Sequence, residues 1–152
     1  MRAGSFLRYA GLGAAMAFLA ACQQDAGSSA NVPGGGAATA AYDGIAEGDT
    51  VHFAGTEPFW GGTIAGAMLT YSTPENPEGT AFLVDRFAGN GGLGFTGTLD
   101  GAPFNMAITP GSCGDGMSDR EYPFVVTLRI ADETRRGCGW TDSQPFSGDA
   151  QP

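Results

Sequence analysis

Apolar and polar residues alternate along several stretches of this chain, and that period of two constrains its fold more than any other feature. The clearest stretch is 124–130 (FVVTLRI), and the same pattern recurs at 93–99 and 104–109. Such alternation is typical of a strand with one buried face. A content of 26 glycines and 9 prolines argues against a helical bundle. Candidate strands recur about every ten residues, so the sequence predicts an all-β domain, a small antiparallel β-barrel or sandwich of about seven or eight strands.

Three segments between or within these strands carry further expectations. Residues 80–87 (TAFLVDRF) are apolar at both parities, which predicts a strand covered on both faces. Asp100-Gly101 lies between two alternating runs and predicts a tight hairpin turn. Residues 89–94 match the spacing G-x-G-x-x-G, but a strand follows where a dinucleotide site needs a helix. We therefore interpret residues 89–94 as a hairpin loop.

The N-terminus has the features of a secretory leader. Arg2 and Arg8 accompany an apolar run of about a dozen residues, too short to span a bilayer, which needs about 20. The sequence Leu19-Ala20-Ala21-Cys22 then resembles the bacterial lipobox. This resemblance implies cleavage before Cys22, diacylglycerol on its sulfur and acylation, such as palmitoylation, of the new amine. We expect a lipoprotein signal peptide at 1–21 and a permanent acyl anchor at Cys22.

The composition after Cys22 predicts the domain organisation. Residues 22–45 are rich in Gly, Ala and Ser and predict a disordered linker. The all-β domain is expected at 46–142, and residues 143–152 are expected to form a flexible tail. Gln23 stands where an aspartate would resemble an inner-membrane retention signal, so we expect the outer membrane, with the domain facing the periplasm.

The charge balance excludes one class of partner. The chain has no lysine, and 7 arginines against 16 carboxylates give a net charge of -9. Such a surface does not neutralise phosphates, so we expect no nucleic-acid partner. It also repels anionic lipid, and the acyl chains must supply the membrane attachment.

Cys113 and Cys138 remain once Cys22 is assigned to lipid. An even pair in an oxidising compartment predicts a disulfide. The alternatives are a metal site that includes His52, or two free thiols. Zinc sites usually contain closely spaced cysteine pairs, which this chain lacks. We expect the disulfide, no metal and no cofactor.

Two segments carry a resemblance to a known family. The first is Gly55-Thr56-Glu57-Pro58-Phe59-Trp60, and the second is residues 113–124, CGDGMSDREYPF. Together they resemble an uncharacterised family of bacterial envelope lipoproteins with GTEPFW and C-x-D-G-M-S-D-x-x-Y-P segments. Members of that family sometimes stand beside META-type or lysozyme-inhibitor-like β-domains. The resemblance covers residues 50–140 and implies the fold and location, and it supplies no catalytic residue.

The same two segments contain the candidate site residues, which are Glu57, Trp60, Asp115, Asp119, Arg120 and Tyr122. Under one interpretation they form a structural brace, with Glu57 and Arg120 as a buried bidentate pair. Under the other, a polar ligand cleft is lined by Glu57, Trp60, Asp119, Arg120 and Tyr122. We favour the brace.

Three classes of function remain open from the sequence. The first is a non-catalytic lipoprotein that binds an envelope protein or a cell-wall component. The second is a small-ligand binder that uses a barrel cavity. The third and weakest is a hydrolase, since Ser118 lies outside a nucleophile elbow and His52 is the only histidine. We expect the first, and no catalytic residues.

Overall fold

A computed structural model describes residues 40–149, and these residues form eight antiparallel strands. The strands are β1 (Val51–Thr56), β2 (Phe59–Ala65), β3 (Met68–Thr73), β4 (Asn76–Ala88), β5 (Leu93–Leu99), β6 (Ala102–Gly114), β7 (Glu121–Ile130) and β8 (Glu133–Thr141). Each strand pairs with the next along the chain, and β8 pairs with β1. The all-β prediction is confirmed, and the architecture is a closed up-and-down barrel.

The barrel interior is filled by the inward side chains of the alternating strands. Registered pairs such as Val51 with Ile64 and Phe104 with Ile130 place apolar residues on the same face of neighbouring strands. The largest fully buried side chains are Phe53, Phe95, Phe104, Phe124, Ile45, Ile64, Leu69, Ile108, Leu128 and Val126. An eight-stranded barrel is just wide enough for its own side chains to fill it.

The two ends of the barrel are closed by different residues. Ile45, only 2% exposed, precedes β1 and lines a cavity of about 10 Å³, which holds at most one water molecule. On β8, Arg135 Nη1 donates a 2.5 Å hydrogen bond to the Tyr71 hydroxyl, and the Arg135 guanidinium also contacts Glu133. Burial raises the pKa of Tyr71, so this phenol stays neutral at physiological pH.

β4 differs from its prediction as a strand covered on both faces. Val84 is buried, but Leu83 and Phe87 are 69% and 71% exposed. In a single-layered barrel each strand has only one inward face, and nothing among the described residues covers the outer face of β4. Apolar residues at both parities therefore indicate an exposed apolar surface here.

The two predicted turns are confirmed. β5 ends at Leu99 and β6 begins at Ala102, with φ of 50° at Asp100 and 84° at Gly101. Two positive φ values at a two-residue connection match the twist of a β-hairpin. Residues 89–92 connect β4 to β5, and the Gly89 N–H donates to the Gly92 carbonyl.

The described segment before β1 differs from the predicted linker boundary. The Tyr42 N–H donates a 2.7 Å hydrogen bond to the Gly89 carbonyl, and Arg86 Nη2 donates to the Ile45 carbonyl at 2.9 Å. The segment from Tyr42 to Ile45 thus packs on the barrel, because Ile45 fills its open end. The predicted signal peptide and Cys22 lie outside the described residues.

The segment after β8 also differs from its prediction as a flexible tail from residue 143. The N–H groups of Glu121 and Ser147 each donate to the other's carbonyl, at 2.9 and 3.0 Å. Phe146 packs on Tyr122 and Trp140. Residues 143–149 therefore return to the barrel and add a short pairing to β7. Within the described residues, no helix is long and apolar enough to cross a membrane.

Candidate functional site

The hairpin formed by the ends of β6 and β7 folds back over the outer face of the barrel. We call residues 111–122 the flap. Its Cys113 forms a disulfide with Cys138 of β8, with the Cα atoms 5.6 Å apart, which confirms the predicted bridge. Thr56 Oγ1 on β1 donates to the Asp115 carbonyl at 3.3 Å. The flap thus reaches across β8 to β1, two strands away from its own position in the sheet.

A local irregularity lets the flap turn out of the sheet. The β6–β7 register shifts between Pro110 and Cys113, which marks a β-bulge. Bulges bend a strand and increase its twist. The side chain of Cys138 points outward, because the neighbouring residues Gly137 and Gly139 occupy the inward positions of β8. Cys138 is nevertheless buried, since the flap covers it.

Beneath and beside the flap lies an aromatic cluster on the outside of the barrel. Trp140 stacks on His52 of the adjacent strand, with ring centroids 5.3 Å apart and an interplanar angle of 15°. Tyr122 and Phe146 contact Trp140 at 5.4 and 5.5 Å. Aromatic pairs at these separations add stability beyond the area that they bury. The cluster joins the flap, β1, β8 and the C-terminal segment.

Arg120 adds a cation to this cluster. Its guanidinium carbon lies 4.5 Å from the centroid of the Phe146 ring, in cation–π geometry. Its Nε is buried and has no hydrogen-bond partner among the described residues. Arg120 is therefore oriented by stacking, and its guanidinium retains unused donors beside the aromatic rings.

Asp115 organises the flap loop. Its carboxylate accepts hydrogen bonds from the N–H groups of Met117 and Ser118, at 2.9 and 2.8 Å, and from the Ser118 and Tyr122 hydroxyls. These bonds, first that of the Met117 N–H, lower the pKa of Asp115 below its ordinary value. The carboxylate oxygens are used by hydrogen bonds within the loop, so the positions of Asp115 and Ser118 are explained without a ligand.

Trp60 belongs to the barrel interior, away from the flap surface. It is 4% exposed and lies 5.8 Å from Phe53 and 6.3 Å from Tyr71, measured between ring centroids. Its indole crosses the inward faces of Gly55 and Gly137, where a side chain would collide with it. Its Nε1 has no hydrogen-bond partner among the described residues. The contacts of Trp60 are those of a core residue. Trp60 and Glu57 are close in sequence, but they do not belong to the same site, because Trp60 is buried and Glu57 is exposed.

The predicted Glu57–Arg120 brace is wrong. Glu57 is exposed in the β1–β2 turn, and no ion pair joins it to Arg120 within residues 40–149. Arg120 instead uses Phe146, a residue that the sequence assigned to a loose tail. Asp119 is also exposed, and its carbonyl packs against Gly148. The structure thus brings together Asp115, Arg120 and Tyr122, and places Glu57, Trp60 and Asp119 outside that group.

Removing the Glu57 charge should therefore have little effect on stability. We expect Glu57→Gln to change the free energy of unfolding by less than about 0.5 kcal/mol, as at other exposed positions without partners. Arg120→Met should cost about 0.5–2 kcal/mol through the lost cation–π contact. The double variant should show the sum of the two losses, which urea denaturation measures. A sharp loss in Glu57→Gln that Arg120→Met partly restores would contradict this geometry.

A shallow open groove of about 390 Å³ runs beside the aromatic cluster. It is lined by Gly111, Ser112, Glu121, Tyr122, Pro123, Pro145 and Ser147. Ser112 Oγ donates a 2.6 Å hydrogen bond to Glu121 Oε1, which orients that exposed carboxylate. The groove thus offers an oriented carboxylate, backbone groups of a bulge and an aromatic edge. Such a set suits a polar ligand or partner that carries N–H or O–H donors.

Sequence reasoning missed Trp140, Phe146 and Asp142 as neighbours of this surface. Asp142 Oδ1 lies 3.0 Å from His52 Nε2. The outward parity of Trp140 on β8, opposite the inward Gly139, was the one available signal. Phe146 had none, because its position depends on the return of the C-terminal segment.

Ser118 and His52, the two residues considered for a hydrolase, have different hydrogen-bond partners in the described part of the chain. The Ser118 hydroxyl donates a hydrogen bond to Asp115, and His52 is hydrogen-bonded to Asp142. The serine and the histidine therefore belong to separate hydrogen-bonded groups. No group of three or more His, Cys, Asp or Glu residues in the described part of the chain is placed to hold a metal ion. The described residues instead present a charged and aromatic surface that a partner could contact.

Comparison of the chain with protein-family models, with curated proteins and with solved structures finds no match.

Proposed function

We propose that this protein is a lipid-anchored lipoprotein of the bacterial cell envelope that acts by binding and not by catalysis. Its anchor is Cys22, it resides in the outer membrane facing the periplasm, and its partner is an envelope protein or a cell-wall component. The family with GTEPFW and C-x-D-G-M-S-D-x-x-Y-P segments is the one to which we assign it. The recognition surface is the flap with its groove and aromatic cluster.

The observation that carries this proposal is the contrast between the barrel's interior and its exterior. The interior is filled by aromatic and aliphatic side chains, and the cavity beside Ile45 has a volume of only about 10 Å³. Clefts or cavities that bind small molecules usually measure about 300–1,000 Å³ and bury most of the ligand's surface, far more than the space beside Ile45 allows. The polar and aromatic chemistry lies outside, on a flap held by a disulfide. This arrangement favours a surface-binding module over a barrel-cavity binder.

Arg120, Tyr122 and the aromatic residues beside them suit recognition for a physical reason. Arginine and aromatic side chains carry much of the binding energy in protein interfaces. Aromatic rings bury large areas at small entropic cost, and an arginine already held by stacking loses less freedom on binding. Here the disulfide and the Asp115 turn hold them in place before a partner arrives. A preorganised surface loses less conformational entropy on binding.

The anchor is tested by mass spectrometry of the mature N-terminus. We expect a chain beginning at Cys22 with the mass of a diacylglycerol group and an amide-linked acyl chain. Cys22→Ser should remain unprocessed at this site and take up no labelled palmitate. An unacylated mature N-terminus in the wild type would contradict the lipoprotein assignment, whatever the barrel binds.

The recognition surface is tested by site-specific photo-crosslinking in the intact envelope and by sedimentation with purified peptidoglycan sacculi. A photoreactive residue replaces Ser147 in the groove, and the matched control replaces Thr98, an exposed position on the outer face of β5. We expect adducts from the groove position and few from the control position. Both the adducts and any sacculus binding should be lost in Arg120→Met. Equal crosslinking from both positions would contradict a specific surface at the flap.

A further inference from the structure

A second surface of the barrel carries exposed apolar side chains that the proposed recognition surface does not use. Leu83 and Phe87 point outward from β4, at 69% and 71% exposure, and Met68 on β3 is 44% exposed. Met68 and Leu83 are direct cross-strand partners, so their side chains lie side by side. We call these three residues the β4 patch. Large apolar side chains exposed together mark a contact surface more often than scattered ones do.

The β4 patch lies where the N-terminal segment joins the barrel. The Tyr42 N–H donates to the Gly89 carbonyl, two residues beyond Phe87, and Arg86 Nη2 donates to the Ile45 carbonyl. The composition predicts a linker between Cys22 and Tyr42, and a predicted linker of about 20 residues spans on the order of 25 Å. An acyl chain on Cys22 thus holds this end of the barrel close to the membrane surface.

We infer that the β4 patch is a lipid-contacting surface, with Met68, Leu83 and Phe87 resting in the interfacial region of the membrane that carries the anchor. The inference rests on the proposed lipid anchor and adds an orientation to it. Because the anchor keeps the patch near the bilayer, the effective concentration is high and a weak interfacial affinity is sufficient. Aromatic and aliphatic side chains partition favourably into this region.

The charges around the patch specify which lipid it contacts. Asp85 lies between Leu83 and Phe87 on the same outward face, and the chain carries a net charge of -9. The adjacent residue Arg86 is directed to Glu47 and to the Ile45 carbonyl. An anionic lipid surface would repel Asp85, whereas the ammonium group of a zwitterionic headgroup attracts it. The patch therefore fits a leaflet rich in phosphatidylethanolamine.

The same carboxylate argues against a second copy of this chain as the occupant. In a twofold dimer each surface meets itself, so Asp85 would face Asp85 or its immediate surroundings in an apolar contact. Two carboxylates buried together without a cation are strongly unfavourable. A lipid surface avoids this, because each carboxylate stays at the hydrated headgroup level.

The test uses the full acylated protein in vesicles of phosphatidylethanolamine and phosphatidylcholine. Phe87→Trp places a fluorophore in the patch. Phe59→Trp is the matched control, because Phe59 is 53% exposed and lies in the first hairpin, at the opposite end of the up-and-down barrel. Subtracting the parent signal removes Trp60 and Trp140, and thermal melting confirms that each variant is folded. Lipids with brominated acyl chains serve as the quencher.

We expect the emission added by Phe87→Trp to shift to the blue and to lose intensity with brominated lipid, while the emission added by Phe59→Trp is unchanged. Replacing part of the zwitterionic lipid with phosphatidylglycerol should weaken the quenching of the patch fluorophore, and Asp85→Asn should restore it.

Flotation of the protein with the vesicles reports the anchor, and quenching reports the patch. Three other outcomes would therefore overturn the inference in distinguishable ways. Protein that floats with the vesicles but leaves the patch fluorophore unquenched would overturn the lipid contact while leaving the anchor intact. Emission from the patch fluorophore that is blue-shifted but unquenched would assign the patch to a second copy or to the N-terminal segment. Failure to float, with no acyl mass at Cys22, would overturn both the anchor and this contact.

Discussion

Loss of the Cys113–Cys138 bridge is expected to lower the free energy of unfolding by about 2–5 kcal/mol, the usual cost for a small secreted domain. The bridge joins residues 25 apart in the sequence and closes the flap onto β8. Without it, the unfolded chain gains conformational freedom, and the flap is held only by its aromatic and hydrogen-bonding contacts. Urea denaturation of Cys138→Ala measures this loss.

The Cys113→Ala/Cys138→Ala double variant is the matched control for the disulfide prediction. It should lose as much stability as Cys138→Ala alone, because either change removes the same bond. Contacts of the barrel interior are unaffected, so near-ultraviolet signals from Trp60 should persist while those from Trp140 weaken. Native protein in which both thiols react with an alkylating reagent would refute the bridge.

Gly137→Ala is expected to destabilise the barrel by about 3 kcal/mol or to prevent folding, as severe overpacking of a core does. A Cβ at Gly137 would collide with the Ala54 carbonyl oxygen and would lie 2.9 Å from Cζ2 of Trp60. The carbonyl belongs to β1, the strand that pairs with β8, and cannot move without breaking the closure of the barrel. Thermal and urea denaturation both measure the effect.

Two further glycines separate a backbone collision from a side-chain collision. Gly94→Ala on β5 is the matched control, since its Cβ meets nothing closer than the Phe87 carbonyl at 3.9 Å and should change stability by less than about 1 kcal/mol. At Gly55, the three nearest atoms all belong to the Trp60 indole. We therefore expect Trp60→Leu to restore part of the stability lost in Gly55→Ala and almost none of that lost in Gly137→Ala. Equal rescue of both would show that the Ala54 carbonyl yields.

Much of the fold follows from local sequence patterns. The period-two alternation at 93–99, 104–109 and 124–130 identifies strands because side chains of a strand alternate between two faces. Asp100-Gly101 identifies its hairpin because both residues adopt positive φ at low cost. Each of these signals is contained within about ten residues of chain, and each is confirmed by the structure.

Other features depend on residues that are distant in sequence. The apolar run at 80–87 indicated a strand, but whether a second layer covers it depends on the whole architecture, and a closed barrel leaves Leu83 and Phe87 exposed. The composition after residue 142 indicated a loose tail, yet Phe146 packs on Tyr122 because the chain returns to β7. The composition of a segment indicates how much conformational entropy is lost when the segment is ordered. It does not indicate which tertiary contacts compensate for that loss.

The candidate site shows the same division. The sequence by itself determined the strand pattern, the disulfide and the two segments that hold Asp115, Arg120 and Tyr122. Only the tertiary structure decided that Arg120 stacks on Phe146 and does not pair with Glu57, and that Trp60 packs inside the barrel. For Arg120 the physical reason is the bulge between Pro110 and Cys113, which turns the flap outward and over β8. For Trp60 it is the β1–β2 register, which pairs Trp60 with Gly55 on the inward face. Strand register and barrel curvature determine which residues of different strands lie next to each other. Neither can be predicted from a single short segment.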